Sequence, residues 1–521
     1  MAEQQRVELS EAFPHRGSTR GPHGCVAADH TLATAAGYRV MLEGGSAADM
    51  VVAMAAVMTV VQPHYSHLGG DAFALTYRAA DRSVAALNSS GPAPAAYDVQ
   101  AVRARGALPE EGATAVTVPG CVGGWWELHR EQGRLPWKSL FTEAVALARD
   151  GFPATRGLAR AVGYWPERGM PSEYFTATFG HVTGDGGQRV VQPALARTLE
   201  AIAHGGADGF YSGDVARACL ATLREDGGAH QREDWRSPAR WVEPLRVPFQ
   251  GTHVYTQPPQ SRGLVLALAL QDFERRLTDG AGNIPAAQFE ALESAFATVN
   301  THAGDPDITG FDAHALLKEA PRAAHPRTAV HADGDTTYLL AIDRDGNAVS
   351  FIQSVFAPWG SALWAAEAGV LFNNRAFGFT LQEGHPNDIA PGKRPMHTLH
   401  CYLATNADDG RLRVVGGAPG AHRQPTTNLQ LLDALMRRDT DPQDALDQPR
   451  WAVGFGHDRR TVELEMRPGS QLAAAFEAAG IAVEPFAGWD GKMGRASVAK
   501  VHDGGVAVGS DLRGEGTALV F

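Results

Sequence analysis

The chain has 521 residues, of which 44% are hydrophobic and 20% charged, and its formal net charge at pH 7 is −12. This composition is ordinary for a soluble globular protein, and the negative charge argues against nucleic acid or an anionic membrane as the main partner. No apolar run reaches the roughly 18–20 residues that a membrane helix needs. The first twenty residues lack the apolar core of a signal peptide, which predicts a cytoplasmic protein. The four cysteines have neither metal-ligand nor redox spacing and are expected to be reduced, packed thiols.

The first half of the chain is predicted to be mainly helical. Apolar residues recur at helical spacing from Val26 to Glu43 and end at Gly44-Gly45, which is a helix stop signal. The segment from Ala47 to Val61 is apolar almost all round, which indicates a buried helix. Two strands are expected between Asp71 and Asn88. Further helices are predicted over 120–132, 140–150, 194–204, 264–277 and 286–302.

The second half is predicted to be rich in strands. Between Ala303 and Asp335 there are several prolines and little periodicity, so a loop-rich connector that ends at a processing site is expected. The turn dipeptide Asp345-Gly346 then separates two apolar runs and predicts a hairpin. Helices outside and mostly antiparallel strands inside indicate a layered α/β sandwich. The predicted strands are 337–343, 348–354, 399–404, 412–416, 461–465, 496–502 and 506–509, with a helix over 427–436.

Thr336 stands at the start of the first strand of that hairpin, after an acidic Asp-Gly-Asp loop. A threonine hydroxyl is a weak nucleophile until a base takes its proton. The α-amine of a new N-terminus, with a reference pKa of about 7.7–8.0, is such a base. Taken alone, a Thr-Thr pair before a hairpin is more often a matter of β-propensity.

The motifs around Thr336 change this interpretation. Thr-Thr-Tyr at 336–338 is followed by Ile-Asp-Arg-Asp-Gly-Asn-Ala-Val at 342–349. Other short motifs stand in order at 44–49, 68–70, 118–120, 148–152, 369–374, 391–395 and 416–420. From about Cys25 to the C-terminus this order resembles the γ-glutamyltransferase (γ-glutamyltranspeptidase) family of N-terminal-nucleophile hydrolases. The resemblance implies an α/β (α+β) fold, a four-layer αββα sandwich of the N-terminal-nucleophile hydrolase type.

The resemblance also implies self-processing. Attack of Thr336 on the Asp335 carbonyl, an N-to-O acyl shift and hydrolysis would leave a large (α) subunit, 1–335, and a small (β) subunit, 336–521. These two fragments would form one structural unit, a heterodimer that is possibly assembled further. The Thr336 hydroxyl would then attack a substrate amide and give an acyl-enzyme, which water or an acceptor amine resolves.

Three further residues match catalytic positions of the family. Ser354 matches, by its spacing from Thr336, a threonine that hydrogen-bonds the nucleophile; a plain strand-end serine is the alternative. Gly420 and Ala421 match two glycines whose backbone amides form the oxyanion hole, and alanine supplies an N–H as well as glycine if its φ allows. A simple tight turn is the alternative for this pair.

The substrate pocket departs from the family at matched positions. Family members hold a substrate carboxylate with an early arginine and a serine pair, and its amine with an acidic residue. Here those positions are Ser90, His397-Thr398 and Gly378. Loss of a bidentate arginine removes strong charge-assisted hydrogen bonds. His397-Thr398 and the segment 68–73 instead resemble divergent γ-glutamyltransferase-like amidohydrolases, including the oxamate amidohydrolase type.

Arg375, beside Asn374, is the nearest cation in sequence to this altered pocket. We therefore predict that Arg375 and His397 together hold the substrate acid, with Ser90, Thr398 and Asn374 around it. His422-Arg423 is a further candidate, although an arginine there is also typical of a surface. His400 is expected to be a core or loop histidine.

No cofactor and no metal ion are predicted, because the histidines lack a third ligand at a recognisable spacing. The favoured interpretation is a self-processing threonine hydrolase that cleaves an amide or similar acyl bond of a small acidic compound. One alternative is an ordinary glutathione hydrolase and γ-glutamyl transpeptidase. The other is an unprocessed, inactive family member that only binds a ligand.

Overall fold

Two seven-stranded sheets face each other in the computed structural model, which describes residues 17–165, 167, 169, 171–319, 335–455, 459–467, 470–486, 488–489 and 491–521. The strands of the chain are β1 Thr19–Gly21, β2 Cys25–Ala28, β3 Asp71–Arg78, β4 Ser83–Ser89, β5 Phe152–Pro153, β6 Arg189–Val190, β7 Arg240–Val242, β8 Leu245–Phe249, β9 Thr252–Thr256, β10 Asp335–Ile342, β11 Ala348–Phe356, β12 Trp364–Ala365, β13 Val370–Leu371, β14 Tyr402–Asn406, β15 Leu412–Gly417, β16 Trp451–Gly454, β17 Thr461–Glu465, β18 Ala482–Phe486, β19 Ser497–His502, β20 Gly505–Ser510 and β21 Thr517–Val520.

Helices cover the outer faces of both sheets. They are α1 Thr31–Leu42, α2 Ala47–Val61, α3 Val99–Arg105, α4 Cys121–Gln132, α5 Thr142–Asp150, α6 Arg156–Val162, α7 Glu173–Phe179, α8 Pro193–Gly205, α9 Asp208–Tyr211, α10 Gly213–Glu225, α11 Gly263–Thr278, α12 Ile284–His302, α13 Pro306–Thr309, α14 Ala313–Glu319, α15 Gln424–Leu432, α16 Pro442–Leu446 and α17 Leu472–Ala478. None of the helices in the described ranges is long and apolar enough to cross a bilayer.

Both sheets combine strands from before and after Thr336. The first sheet has the order β21-β2-β10-β11-β3-β4-β7, and the second has the order β1-β20-β19-β15-β14-β9-β8. Neighbouring strands within each sheet are antiparallel. The strand that carries Thr336, β10, therefore lies inside the first sheet, between β2 and β11.

The period-two alternation of β10 shows how the four layers pack. Tyr338 and Leu340 belong to the apolar cluster between the two sheets, which also includes Val415 of the second sheet. Leu339 and Ala341 face the opposite way, into the cluster formed with α1, α2 and α4. A third cluster joins α11, α12 and α15 to the outer face of the second sheet. The predicted αββα sandwich is confirmed.

Several predicted boundaries differ in the structure. The region predicted as one helix from Val26 to Glu43 is strand β2 followed by helix α1, because the first residues pair with β10 and β21. The predicted strand 399–404 begins only at Tyr402, and the predicted helix 427–436 begins at Gln424 and ends in a π-helical turn, Asp433–Arg437. The four cysteines are buried and free, as predicted.

The predicted connector from Ala303 to Asp335 is only partly a loop. It contains the short helices α13 and α14, and the residues 320–334 that come after them lie outside the described residues. Strand β10 begins at Asp335 itself, one residue before Thr336. Thr336 is thus the second residue of a strand and is buried.

Candidate active site

Thr336 lies beside a bulge in the first sheet. Asp335 pairs with Phe356 and Thr337 pairs with Gln353, so β11 contributes one more residue than β10 at this point. Within this bulge the Ser354 hydroxyl accepts a hydrogen bond from the amide N–H of Phe356 at 2.7 Å. A bulge bends its strand and re-aims nearby side chains, and such bulges are frequent next to active sites.

Gln424 and Arg495, from outside the first sheet, contact Thr336. The Gln424 side-chain amide donates to the Thr336 hydroxyl at 3.5 Å, while its oxygen accepts the His400 N–H at 3.3 Å. Arg495 donates to the Thr336 carbonyl at 2.9 Å and is itself paired with the Asp29 carboxylate at 2.6 Å. The hydroxyl and the carbonyl of Thr336 therefore each have a buried partner.

A tight turn after β15 leads into α15, which begins at Gln424. Gly420 has φ 137° and Ala421 has φ 51°, so both residues lie outside the region that most L-residues adopt. A Cβ atom on Gly420 would lie 3.2 Å from the Cα of Gly494. Over the described part of the chain, neither the Gly420 nor the Ala421 amide N–H donates a hydrogen bond. The turn thus presents two adjacent N–H groups next to the residue that contacts Thr336.

Thr336, Ser354 and Asp71 extend one face of the first sheet. Asp71 pairs with Ser354 in the register of β3 and β11. By the alternation along each strand, these three residues lie on the face toward the second sheet, with Tyr338, Ile352 and Phe73 respectively. Because strands are about 4.8 Å apart, Asp71 lies about 10 Å across the sheet from Thr336.

Asp71, Arg375 and His397 form a fully buried charged cluster. The exposed fraction of each of the three side chains is 0%. Arg375 Nε donates to Asp71 Oδ2 at 3.3 Å, and His397 Nε2 lies 4.0 Å from the same oxygen. Arg375 also lies over the Phe356 ring, 4.5 Å from its centroid. Among the described residues, both Nη atoms of Arg375 and both ring nitrogens of His397 have no hydrogen-bond partner.

Burial dominates the electrostatics of this cluster. It raises the pKa of Asp71 to about 6, although the Arg375 charge and the Gly91 N–H act in the opposite direction. Burial lowers the pKa of Arg375 to about 10 against the attraction of Asp71. It also lowers the pKa of His397 well below the ordinary value, an effect to which the charges of Arg375 and Arg394 add. At neutral pH the cluster holds one anion, one cation and one neutral imidazole.

The remaining predicted pocket residues have other partners. Ser90 donates to Asn88 Oδ1 at 2.7 Å. The Asn374 side chain donates to the Glu110 carbonyl at 3.0 Å and accepts the Ala357 N–H at 3.1 Å. The carbonyl of Thr398 lies 3.2 Å from His400 Nδ1. Their proposed contact with a substrate stays a prediction.

Two other residues named from the sequence, Arg423 and His400, are also buried. Arg423 is not a surface arginine, because it is 8% exposed and paired with Glu463 at 2.8 Å. His400 is a buried histidine, as expected, and its Nε2 lies 3.0 Å from the Asn428 side-chain nitrogen. Within the described ranges no group of three or more His, Cys, Asp or Glu side chains could hold a metal ion.

An open cavity of about 640 Å³ lies at the opposite end of the β10–β11 hairpin. Tyr77, Arg134 and Asp345 are among the residues that line it. It includes none of the residues predicted to be catalytic or substrate-binding. We therefore place the candidate site at Thr336 and not at this cavity.

Comparison with known proteins decides the family. Residues 33–521 match the family described as Gamma-glutamyltranspeptidase. The chain belongs to this family. The glutathione hydrolase-like YwrD proenzyme of Bacillus subtilis is 31% identical over 96% of this chain and 99% of its own length. The oxamate amidohydrolase proenzyme of Klebsiella pneumoniae is 32% identical over 96% of this chain and 98% of its own length.

A solved structure agrees with this membership of the γ-glutamyltranspeptidase family. Cephalosporin acylase from Bacillus halodurans superposes with a TM-score of 0.86 at 28% sequence identity, covering 98% of each chain. The family of the sequence prediction is confirmed. So is its fold.

Sequence reasoning did not single out three residues that the structure brings to the site. Asp71 stands in a motif that signalled the family, yet its pairing with Arg375 depends on chain distant in sequence. Gln424 comes soon after the turn Gly420-Ala421, which was a usable signal. No sequence signal pointed to Arg495, because its contact with Thr336 joins two distant parts of the chain.

Proposed function

We propose that the chain is a self-processing amidohydrolase whose nucleophile is Thr336. The observation that supports the nucleophile is its position beside the β11 bulge, with the Gln424 amide on its hydroxyl and Arg495 on its carbonyl. In this proposal the Asp335–Thr336 bond is cleaved, and the freed α-amine of Thr336 serves as the base. The fragments 1–335 and 336–521 then remain together as a heterodimer, because both sheets contain strands of each.

The chemistry proceeds through a threonine ester. The Thr336 hydroxyl forms a bond to the substrate amide carbon as its proton passes to the α-amine. The negative oxygen of the tetrahedral intermediate is stabilised by the N–H groups of Gly420 and Ala421. The C–N bond breaks, and the leaving amine takes the proton from the α-amine. Water then attacks the ester, and Thr336 recovers its hydroxyl as the acid leaves.

The proposed substrate is the amide of a small acid. The observation that carries this choice is the Arg375 guanidinium, which is fully buried and has two Nη atoms without a partner among the described residues. An arginine fork matches a carboxylate with two parallel hydrogen bonds. The imidazole of His397 lies beside the same Asp71 oxygen and has one N–H for a second polar group of the substrate.

The names of the relatives suggest which compounds to test. They include an oxamate amidohydrolase, a cephalosporin acylase and glutathione hydrolases. We expect this chain to hydrolyse oxamate or a longer amide of a small acid faster than a γ-glutamyl amide. A screen that compares these amides at equal concentration checks the expectation.

A second candidate function is an ordinary glutathione hydrolase and γ-glutamyl transpeptidase. The buried carboxylate of Asp71 favours it, because a carboxylate in the pocket is able to pair with the ammonium group of a γ-glutamyl substrate. A γ-glutamyl amide turned over much faster than every amide without an amino group would decide for this candidate.

Maturation and the role of Thr336 are tested together. Active protein should contain a fragment that begins at Thr336. Thr336→Ala should block both cleavage and turnover, whereas Thr336→Ser should keep part of each, because the hydroxyl remains while the methyl group that fixes its rotamer is lost. Thr337→Ala is the matched control and should mature, since the Thr337 hydroxyl contacts the Gln353 carbonyl at 3.4 Å.

The outcome is read by N-terminal sequencing and on a denaturing gel. Active material that contains only the intact chain of 55.4 kDa would contradict the proposal. An intact chain with no turnover would instead support an inactive ligand-binding member of the family.

A further inference from the structure

The cluster of Asp71, Arg375 and His397 is balanced in charge before any substrate enters it. The carboxylate and the guanidinium are joined at 3.3 Å and are both fully buried, while the imidazole is uncharged. In the proposed function, on which the present inference rests, Arg375 receives the carboxylate of the substrate. The arrival of that carboxylate would leave two anions beside one cation among fully buried side chains.

The other groups around Asp71 do not remove this excess. The Gly91 N–H donates to Asp71 Oδ1 at 3.2 Å and carries no net charge. Burial raises the pKa of the Cys121 thiol and of the Tyr211 hydroxyl, so both stay neutral. Arg394 is a further cation that acts on Asp71, and its own guanidinium is paired with Asp307 at 2.8 Å.

A buried net charge is costly, and proteins usually avoid it by changing a protonation state. Two groups within the cluster accept a proton: the carboxylate of Asp71 and the imidazole of His397. We infer that Asp71 is a specificity-determining residue, and that the site binds a substrate carboxylate together with one proton held by the Asp71–His397 pair. After binding, Arg375 is the counter-ion of the substrate and no longer of Asp71.

The pKa of Asp71, about 6 in the unliganded structure, makes this uptake feasible near neutral pH. A second anion next to Asp71 raises the pKa of its carboxyl further. Because the two groups are close, the proton belongs to the pair and not to either residue alone. The affinity for an acid should therefore fall as the pH rises above about 6, by about tenfold per unit.

The consequence for specificity is a choice between two kinds of acid. An acid with an ammonium group brings its own positive charge and could bind without a proton. An acid without an ammonium group binds only with proton uptake. The partner-free groups at the site, within the described part of the chain, are mostly donors, namely the two Nη atoms of Arg375 and one N–H of His397. This favours acids that carry a carbonyl or hydroxyl where an amino acid carries its ammonium.

Titration calorimetry in buffers of different ionisation enthalpy tests the inference. We would titrate pyruvate into the mature protein and oxamate into the Thr336→Ala protein, at pH 7.5 in phosphate and in Tris. The dependence of the enthalpy on the buffer gives the protons taken up, and we expect about one per acid bound. Alanine, the amino counterpart of pyruvate, is the comparison ligand and should show no uptake if it binds.

Two variants locate the proton. Asp71→Asn should abolish the uptake and flatten the dependence of Kd on pH. Asp433→Asn is the matched control, because Asp433 is also a buried carboxylate paired with an arginine, Arg437, at 2.6 Å. It should leave the uptake unchanged. If Asp71→Asn does not fold, the uptake measured without this substitution still decides the matter.

Each result has one meaning. Acids that bind without proton uptake overturn this inference and leave the proposed function standing. Uptake that persists undiminished in folded Asp71→Asn overturns it as well, because the proton would then not depend on Asp71. A protein that binds neither pyruvate nor oxamate overturns the proposed acid site, and this inference with it.

Discussion

Replacement of Arg375 is the most direct test of the proposed acid site. Arg375→Met removes the guanidinium and keeps an unbranched apolar side chain over the Phe356 ring. Loss of one charge-assisted contact to the substrate costs about 1.5–3 kcal/mol, which corresponds to about 10- to 150-fold in kcat/KM. We expect a loss in this range, and at its upper end if both Nη atoms bind the carboxylate.

The same substitution also affects stability, because it leaves the Asp71 carboxylate buried and unpaired. Breaking a buried ion pair on one side typically costs about 3–5 kcal/mol of unfolding free energy. The Arg375 charge lowers the pKa of Asp71, so its removal should raise that pKa above the value of about 6. Asp71 would then take up a proton near neutral pH, which limits the loss of stability. Above that pH the penalty should return.

The double variant Asp71→Asn, Arg375→Met separates the two effects. It carries no unpaired buried charge, so its thermal unfolding temperature should return toward that of the natural protein. Its kcat/KM should stay low, because the Arg375 guanidinium is still missing. Arg437→Met is the matched control: it removes an arginine from the buried carboxylate Asp433, at a distance from Thr336, and should keep kcat/KM.

The assay combines kcat/KM for the best acid amide with thermal unfolding and N-terminal sequencing at Thr336. Self-cleavage should survive in Arg375→Met, because maturation needs Thr336 and no bound substrate. Turnover equal to that of the natural protein, or a folded variant that no longer matures, would refute the assignment. Arg423 and Arg394 would be the next candidates, although each is already paired with a carboxylate at 2.8 Å.

Three further expectations concern the acceptor and the groups around Thr336. Added glycylglycine should barely accelerate product release, because the matched arginine and acidic positions of the family are Ser90 and Gly378 here. Strong acceleration with a γ-glutamyl donor would restore the transpeptidase function. Gly420→Ala should lower kcat by about 100-fold or more, since it strains the backbone that presents a proposed oxyanion donor. Gly480→Ala is the control and should leave kcat unchanged, because Gly480 also has a positive φ, 72°, and no described atom lies within 4 Å of the added Cβ. Gln424→Leu should slow both self-cleavage and turnover; unchanged rates of both would remove this side chain from the proposed machinery.

The local sequence pattern was sufficient to predict those helices and strands whose apolar residues follow the pattern typical of their type. The β10–β11 hairpin results from two apolar runs around Asp345-Gly346, and α2 results from a segment that is apolar all round. The prediction of one helix from Val26 to Glu43 was wrong because β2 is buried on both faces, so it has the apolar content of a helix and none of the alternation of a strand.

The site itself was only partly predictable from the sequence. Arg375 and His397 were found because they stand at or beside matched positions of the family. The pairing of Arg375 with Asp71 joins residues 304 apart in the chain and arises only when β3 lies next to β11. The periodicity of apolar residues along the sequence does not predict a contact between residues so far apart. The same is true of Arg495, which reaches the Thr336 carbonyl from the far end of the chain.

The sheet order explains how a chain cut at Thr336 would keep its nucleophile in place. Strand β2, from the proposed first fragment, lies between β21 and β10, and the residues of these two strands that pair with it all come after Thr336. Separation of the fragments would break hydrogen bonds on both sides of β2. The ion pair of Asp29 and Arg495 also joins the two fragments, and it holds the carbonyl of Thr336. Asp29, in the proposed first fragment, would thus help to fix the position of the new N-terminus, so that cleavage after Asp335 would free the α-amine while the hydroxyl stayed next to Gln424.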